Sequence, residues 1–202
     1  MNSIVFQSQK LIPSKVVCIG RNYVAHIEEL NNEIPEEPVV FLKPNSAISS
    51  QLQINEQHNI HYESEISFLV IDGELSGVGF GLDLTKREVQ TVLKNKGLPW
   101  ERAKAFDKSA VFSEFVGMQH VTESLRIELT INGELVQRGE EHLMINSPSE
   151  LLEEVSRFMT VENGDILMTG TPSGVGIVNK GDVFQGRILS GTKLLIEHAW
   201  SV

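Results

Sequence analysis

The sequence predicts an α+β fold rich in strands, one domain of 202 residues carrying a few short helices. Three observations point there. The apolar residues gather in short runs punctuated by turn residues, the pattern of buried strands. The pair Asn132-Gly133 interrupts RIELTINGELVQRG, the clearest hairpin signal in the chain. Two Ser/Thr-x-x-Glu boxes, beginning at Thr85 and Ser147, mark expected helix starts.

Taken in order, KVVCIG and PVVFLKP read as short buried strands. Between them YVAHIEEL has helical spacing, followed by the polar, proline-bearing NNEIPEEP. ISFLVIDG and SGVGFGLDL are consecutive strands joined through Asp72-Gly73. Thr85-Lys86-Arg87-Glu88 is expected to cap a helix with Val89, Val92 and Leu93 on its apolar face, stopped by Gly97 and Pro99. Ser147-Pro148-Ser149-Glu150 opens the helix LLEEVSRFM with proline at its first position. DILMTGT, DVFQGRI and KLLIEHAW complete the strands.

Composition narrows the function classes. Hydrophobic residues make up 41% and charged residues 22%, ordinary for a globular protein. A formal charge of -10 argues against nucleic-acid or anionic-membrane partners, while a local cation still permits a small anionic substrate. The single cysteine, Cys18, excludes an intrachain disulfide and fits a reducing compartment and core packing. No apolar run approaches membrane-spanning length and no signal-like segment opens the chain, so a cytoplasmic protein is expected.

Glu63 and Glu65 in HYESEISFLV and Asp83 in GFGLDLT stand in apolar, strand-like stretches. On a strand, residues two apart share a face, so the two glutamates project side by side and call for a positive charge between them. Three carboxylates form a hard oxygen ligand set suited to Mg²⁺ or Mn²⁺. The alternative is that one glutamate faces water and the other pairs with a lysine. If YVAHIEEL is helical, His26 and Glu29 are neighbours three apart, and a carboxylate partnered to an imidazole fixes its tautomer and raises its basicity. A surface histidine beside an acidic patch has the same spacing. In GLPWERAKAFDKSA, Lys104 between small and aromatic residues could be buried facing an anion, or could lie along the surface. GDILMTGTPSGVG runs from a strand into a glycine-rich turn that can offer backbone N–H groups to a carboxylate. It lacks the Gly-Lys-Ser/Thr of a P-loop and does not lead into a helix.

The ordered set GRNYVAHIEEL, EPVVFLKP, HYESEI, GLDLTKREVQ, KGLPWERAKAFD, INGELVQRG and NGDILMTGTPSGVG resembles the fumarylacetoacetate hydrolase family over nearly the whole chain. It is most similar to the small single-domain branch of acylpyruvate hydrolases and oxaloacetate decarboxylases or tautomerases. The resemblance implies a mixed β-sandwich roll, a homodimer, and Mg²⁺ or Mn²⁺ held by Glu63, Glu65 and Asp83. It further implies His26 and Glu29 as a catalytic dyad on a lid helix, and Lys104 directed at the substrate. Arg21, Arg87, Gln90 and Thr171 would help bind that substrate. The activity implied is acylpyruvate C–C hydrolysis, or oxaloacetate decarboxylation or tautomerisation, through a stabilised enolate of a short 2-oxo acid. Isomerases and hydratases of unsaturated 2-oxo diacids share the pattern, and a silent metal-binding homologue or a zinc hydrolase using His58 or His61 are the remaining alternatives. His58 and His61 are otherwise read as structural. The segment between Asn45 and His61 is short for the family, and NNEIP after Glu29 is where lids vary.

Overall fold

The computed structural model describes residues 1–54 and 59–202. Its centre is an eight-stranded mixed sheet in the order Val39–Pro44, Lys15–Gly20, Ile166–Met168, Ser64–Ile71, Glu74–Asp83, Ala110–Phe112, Ile48–Ser49, with Val116–Gly117 also paired to Glu74–Asp83. Ile166–Met168 runs parallel to Lys15–Gly20 and antiparallel to Ser64–Ile71. That makes it the seam between the two halves of the sheet.

The central strands are apolar on both faces because both are covered. Ile66, Phe68 and Val70 point one way, into a core with Phe80, Ile127, Leu129, Phe184, Ile188 and Trp200. Phe80 belongs to the same sheet, while the other five come from an antiparallel four-stranded sheet, Glu134–Glu140, Leu125–Ile131, Val183–Ser190 and Lys193–Ser201, laid over that face. Val16, Cys18, Leu69, Phe112, Phe115 and Met168 fill the other face, which a two-stranded hairpin, Ile4–Phe6 with Gln9–Leu11, helps close through Ile4. Each fully buried side chain of this size contributes about 1.5–3 kcal/mol.

Both expected hairpins form. Asp72-Gly73 and Asn132-Gly133 take positive φ at both turn positions (53° and 76°, 52° and 87°), the geometry that matches strand twist in a two-residue loop. The N-terminal hairpin was not expected, because Gln7 and Ser8 take the left-handed conformation without a glycine or asparagine to announce it.

Four short α-helices occur among the described residues: Val24–Glu29, Arg87–Asn95, Glu101–Lys104 and Pro148–Phe158. The last starts as expected, with Ser147 and Glu150 in a complete capping box and Leu151, Leu152 and Val155 buried. The Thr85 box does not form. Thr85 belongs to a strand, Thr85–Lys86, paired with Ile60 and His61, and Lys86 precedes the helix without a side-chain cap. The Thr85 hydroxyl instead accepts from Lys104 Nζ at 2.6 Å. A buried ammonium outcompeted a local backbone N–H. The apolar face of that helix is also narrower than expected, for Leu93 is buried while Val92 is half exposed.

Among the described residues no helix is long and apolar enough to cross a membrane.

Candidate metal and 2-oxo acid site

The strand leading into the sheet breaks at Glu63, between Ile60–Tyr62 and Ser64–Ile71, while the Glu63 carbonyl accepts from Asp83 N at 2.8 Å. The break keeps Glu63 beside Glu65 although the two do not share one continuous strand. Asp83 ends the neighbouring strand. All three carboxylates are buried, with ligand oxygens within 4.8 Å of one another.

Three cations answer them. Lys104 Nζ lies 2.8 Å from Glu63 Oε2 and 2.6 Å from Asp83 Oδ2. Arg87 Nη2 pairs with Glu63 Oε1, and its Nη1 donates to Gln90 Oε1 at 2.9 Å. Lys43 is completely buried, 2.8 Å from Asp83 Oδ1, yet its protons go to the Lys104 and Leu84 carbonyls and the Ser109 hydroxyl. Asp83 Oδ1 therefore accepts no hydrogen bond among the described residues. A buried anionic oxygen without a donor is costly unless a cation completes it.

The electrostatics point the same way. Burial pushes the Glu63 carboxyl up, but Lys104 and Arg87 outweigh it and hold the group well below the usual carboxylate range. Glu65 goes the other way, raised by burial and by the Asp83 and Glu63 charges, with one oxygen held by Gly170 N–H at 2.8 Å. Burial lowers Lys104, but Asp83 and Glu63 reverse that and stabilise its charged form. The all-oxygen donor set, the crowding at Glu65 and the orphaned Asp83 oxygen together fit a hard divalent cation. Among the described residues the carboxylate triad is the one group with metal-ligand spacing; His61 is not part of it and His58 lies outside the described residues.

Around this triad a narrow cavity is lined by nine of the ten residues the sequence singled out: Arg21, His26, Glu63, Glu65, Asp83, Arg87, Gln90, Lys104 and Thr171. Glu29, the tenth, stands behind His26, its Oε2 3.1 Å from the imidazole Nδ1. Glu29 is a carboxylate acceptor when ionised, so Nδ1 carries the proton in that pair and Nε2 is left basic. The other Glu29 oxygen accepts from Gly174 N at 2.9 Å, docking the helix Val24–Glu29 on the TGTPSG loop. Gly170 in that loop has φ 96°, and its open side abuts Asn22, so a side chain there would be strained and crowded.

Several supporting residues had no role assigned from sequence. Buried Gln137 accepts from Ser64 N at 2.9 Å and donates to Thr171 Oγ1 at 2.9 Å, tying the loop to the carboxylate strand. Asn22 donates to the Thr169 and Asn146 carbonyls at 2.9 and 3.0 Å, anchoring the turn that carries Arg21. Lys43 looked like a strand terminus before proline. Its signal was weak but present, a lone lysine closing an apolar run.

The family described as fumarylacetoacetate (FAA) hydrolase, C-terminal, matches residues 15–195. The oxaloacetate tautomerase YcgM of Escherichia coli is 38% identical over 187 residues, covering 84% of this chain and 85% of that protein. The mitochondrial oxaloacetate tautomerase FAHD1 of Bos taurus is 39% identical over 192 residues, covering 86% of each. A fumarylpyruvate hydrolase from Pseudomonas aeruginosa, solved in complex with Mn²⁺ and pyruvate, superposes with a TM-score of 0.88 at 32% identity, covering 100% of this chain and 95% of that one.

Proposed function

Because the chain belongs to the fumarylacetoacetate hydrolase family, we propose that it is a divalent-metal-dependent enzyme of short 2-oxo acids, with keto–enol exchange of oxaloacetate as its leading reaction. The observation that carries this reading is the buried triad Glu63, Glu65 and Asp83 sharing one cavity with His26 and Lys104. The triad would hold Mg²⁺ or Mn²⁺; the Mn²⁺ in the Pseudomonas relative supports that assignment. A divalent ion there supplies a Lewis acid for the keto oxygen, favouring enolisation.

The remaining work falls to the protein. By formal count the three carboxylates are balanced by Lys43, Lys104 and Arg87, so a bound dication leaves about two positive charges for an anionic substrate. Lys104 and Arg87 stabilise negative charge as it develops, fixed in place before reaction by their carboxylate partners. The Thr171 hydroxyl, positioned by Gln137, and Gln90, held by Arg87, orient polar groups of the substrate. His26, its Nδ1 proton engaged by Glu29, uses Nε2 to take a proton from the carbon next to the keto group and to return it. Leu30, Phe41 and Trp100 close the cavity with apolar surface, which limits water and suits a short substrate.

The same His26–Glu29 pair supports a second reading, acylpyruvate hydrolysis. There Nε2 deprotonates a water that attacks the distal carbonyl, and C–C cleavage gives pyruvate and a carboxylate. The homodimer is part of the proposal by family resemblance, checked by light scattering.

A substrate panel tests the function: the enol and keto forms of oxaloacetate, acetylpyruvate and fumarylpyruvate, each with Mg²⁺, Mn²⁺ or EDTA. EDTA-sensitive enol-to-keto conversion is the expected outcome. EDTA-sensitive pyruvate release from an acylpyruvate instead selects the second reading. No turnover of any substrate overturns both.

A further inference from the structure

The cavity is electrostatically lopsided. Beyond the carboxylates its wall carries Arg21 and Lys94, which have no carboxylate partner among the described residues. Arg21 donates a single long hydrogen bond, 3.4 Å to the Glu33 carbonyl. Lys94 Nζ is bound only by an amide oxygen, Asn32 Oδ1, at 2.8 Å. Burial lowers the Lys94 pKa, and the Arg21 and Arg87 charges lower it further against an opposing pull from Glu63. Arg87 is engaged with Glu63 and Gln90, which leaves Arg21 and Lys94 as the cations free to receive a new anion.

Two backbone features show that this arrangement is held in place. Arg21 has φ 60°, a conformation that costs a non-glycine residue about 1 kcal/mol or more. The Asn22 side chain, bonded to the Thr169 and Asn146 carbonyls, maintains it. Asn32 is equally fixed. The lid helix ends with Asn31 left-handed (φ 50°), Asn31 N donating to the Glu28 carbonyl and Asn32 N to the Ile27 carbonyl, each at 3.0 Å. This is a Schellman end, which determines where Asn32 points.

We propose, resting on the 2-oxo acid reading above, that Lys94 and Arg21 form a clamp for the distal carboxylate of a 2-oxo diacid, with Asn32 presenting Lys94 from the lid. The carboxylate triad then takes the 2-oxo acid end of the substrate and the clamp takes the other end. Lys94 is thereby a specificity-determining residue, separating diacids from 2-oxo acids with a neutral tail. The size follows from chemistry: one charge-assisted hydrogen bond in a partly buried site is worth roughly 10- to 100-fold in affinity.

The test uses unreactive 2-hydroxy analogues, malate for the diacid and lactate for the monoacid, titrated calorimetrically into the Mn²⁺-loaded protein. Wild type is expected to prefer malate. Lys94→Met should weaken malate at least about tenfold and leave lactate within about twofold, and Lys94→Arg should restore most of the malate affinity. Asn32→Ala separates the clamp from a lid latch, since it removes the contact but keeps the cation and should retain the malate preference. Equal affinity for malate and lactate in wild type overturns the inference. So does a Lys94→Met variant that weakens both ligands alike, or an Asn32→Ala variant that matches it. Oxaloacetate turnover with an unchanged malate preference in Lys94→Met refutes the clamp and leaves the proposed function intact. A Lys94-dependent malate preference without turnover in the substrate panel does the reverse.

Discussion

Asp165 and Asp83 are both fully buried aspartates beside a lysine, and they could hardly be used more differently. Asp165 immediately precedes the seam strand of the central sheet and is saturated with donors. Its Oδ1 accepts from Ser14 N, Ser14 Oγ and Lys15 N at 2.9, 2.7 and 3.0 Å, and its Oδ2 from Glu162 N at 2.9 Å and from Lys15 Nζ. Burial alone would raise its pKa, but those bonds, Lys15 and Ser14 foremost, bring it below the ordinary value. Asp83 shares Lys104 with Glu63, and its Oδ1 faces the Lys43 ammonium at 2.8 Å without receiving a hydrogen bond. The first is a strut in which one anion meets one cation and every lone pair is used. The second belongs to a cluster built short of donors, the signature of a place where something else binds.

That contrast can be broken by experiment. The largest effect is expected at His26, which lies in the site without holding the carboxylates. His26→Ala should lower turnover by roughly 10²–10⁴-fold while Mn²⁺ affinity and melting temperature stay near wild type. A parallel loss of metal affinity would show that the imidazole belongs to the ligand set. Next, Glu65→Gln keeps an acceptor for Gly170 N–H but removes one of three crowded charges. Mn²⁺ affinity by calorimetry should fall by at least about a hundredfold, while the metal-free protein melts no lower than wild type. Asp165→Ala should do the opposite, costing about 3 kcal/mol in denaturant unfolding and leaving Mn²⁺ affinity unchanged. If the two variants lost similar stability, the distinction between strut and site would collapse.

Acid sharpens it further. A carboxyl held below its unfolded value of about 3.9 adds stability that is complete above that pH and disappears as pH falls through the folded value. The melting-temperature gap between wild type and Asp165→Asn should therefore be widest near neutrality and close toward pH 2. A gap that persists at low pH would assign the effect to packing and not to charge. Smallest of all, Ser147→Ala should cost about 1 kcal/mol, the worth of a working N-cap.

The two capping boxes show what could be read from sequence and what could not. Ser147 caps its helix because nothing outside the segment competes for its hydroxyl. Thr85 has the same local pattern, but Lys104, nineteen residues further on, delivers a buried ammonium to it. The hairpins and the carboxylates were legible for similar reasons. Asp72-Gly73 and Asn132-Gly133 dictate their own turns, and a glutamate within an apolar run declares its cost wherever the run goes. Gln137 did not, since in the alternating strand VQRG it looks like a solvent-facing position. It is buried because the TGTPSG loop crosses that face. Lys43 was hidden in the same way, its burial depending on carbonyls of Leu84 and Lys104 and on Ser109 brought from elsewhere in the chain. Asn32 and Lys94, sixty-two residues apart, meet only once the lid has docked.

Glu29 has one oxygen on His26 Nδ1 and the other on Gly174 N–H, so orienting the imidazole and seating the lid are a single event. On the proposed mechanism the basicity of Nε2 and the seating of the helix therefore rise and fall together, so a change at Gly174 that unseats Glu29 would reach the proton-transfer step without touching His26.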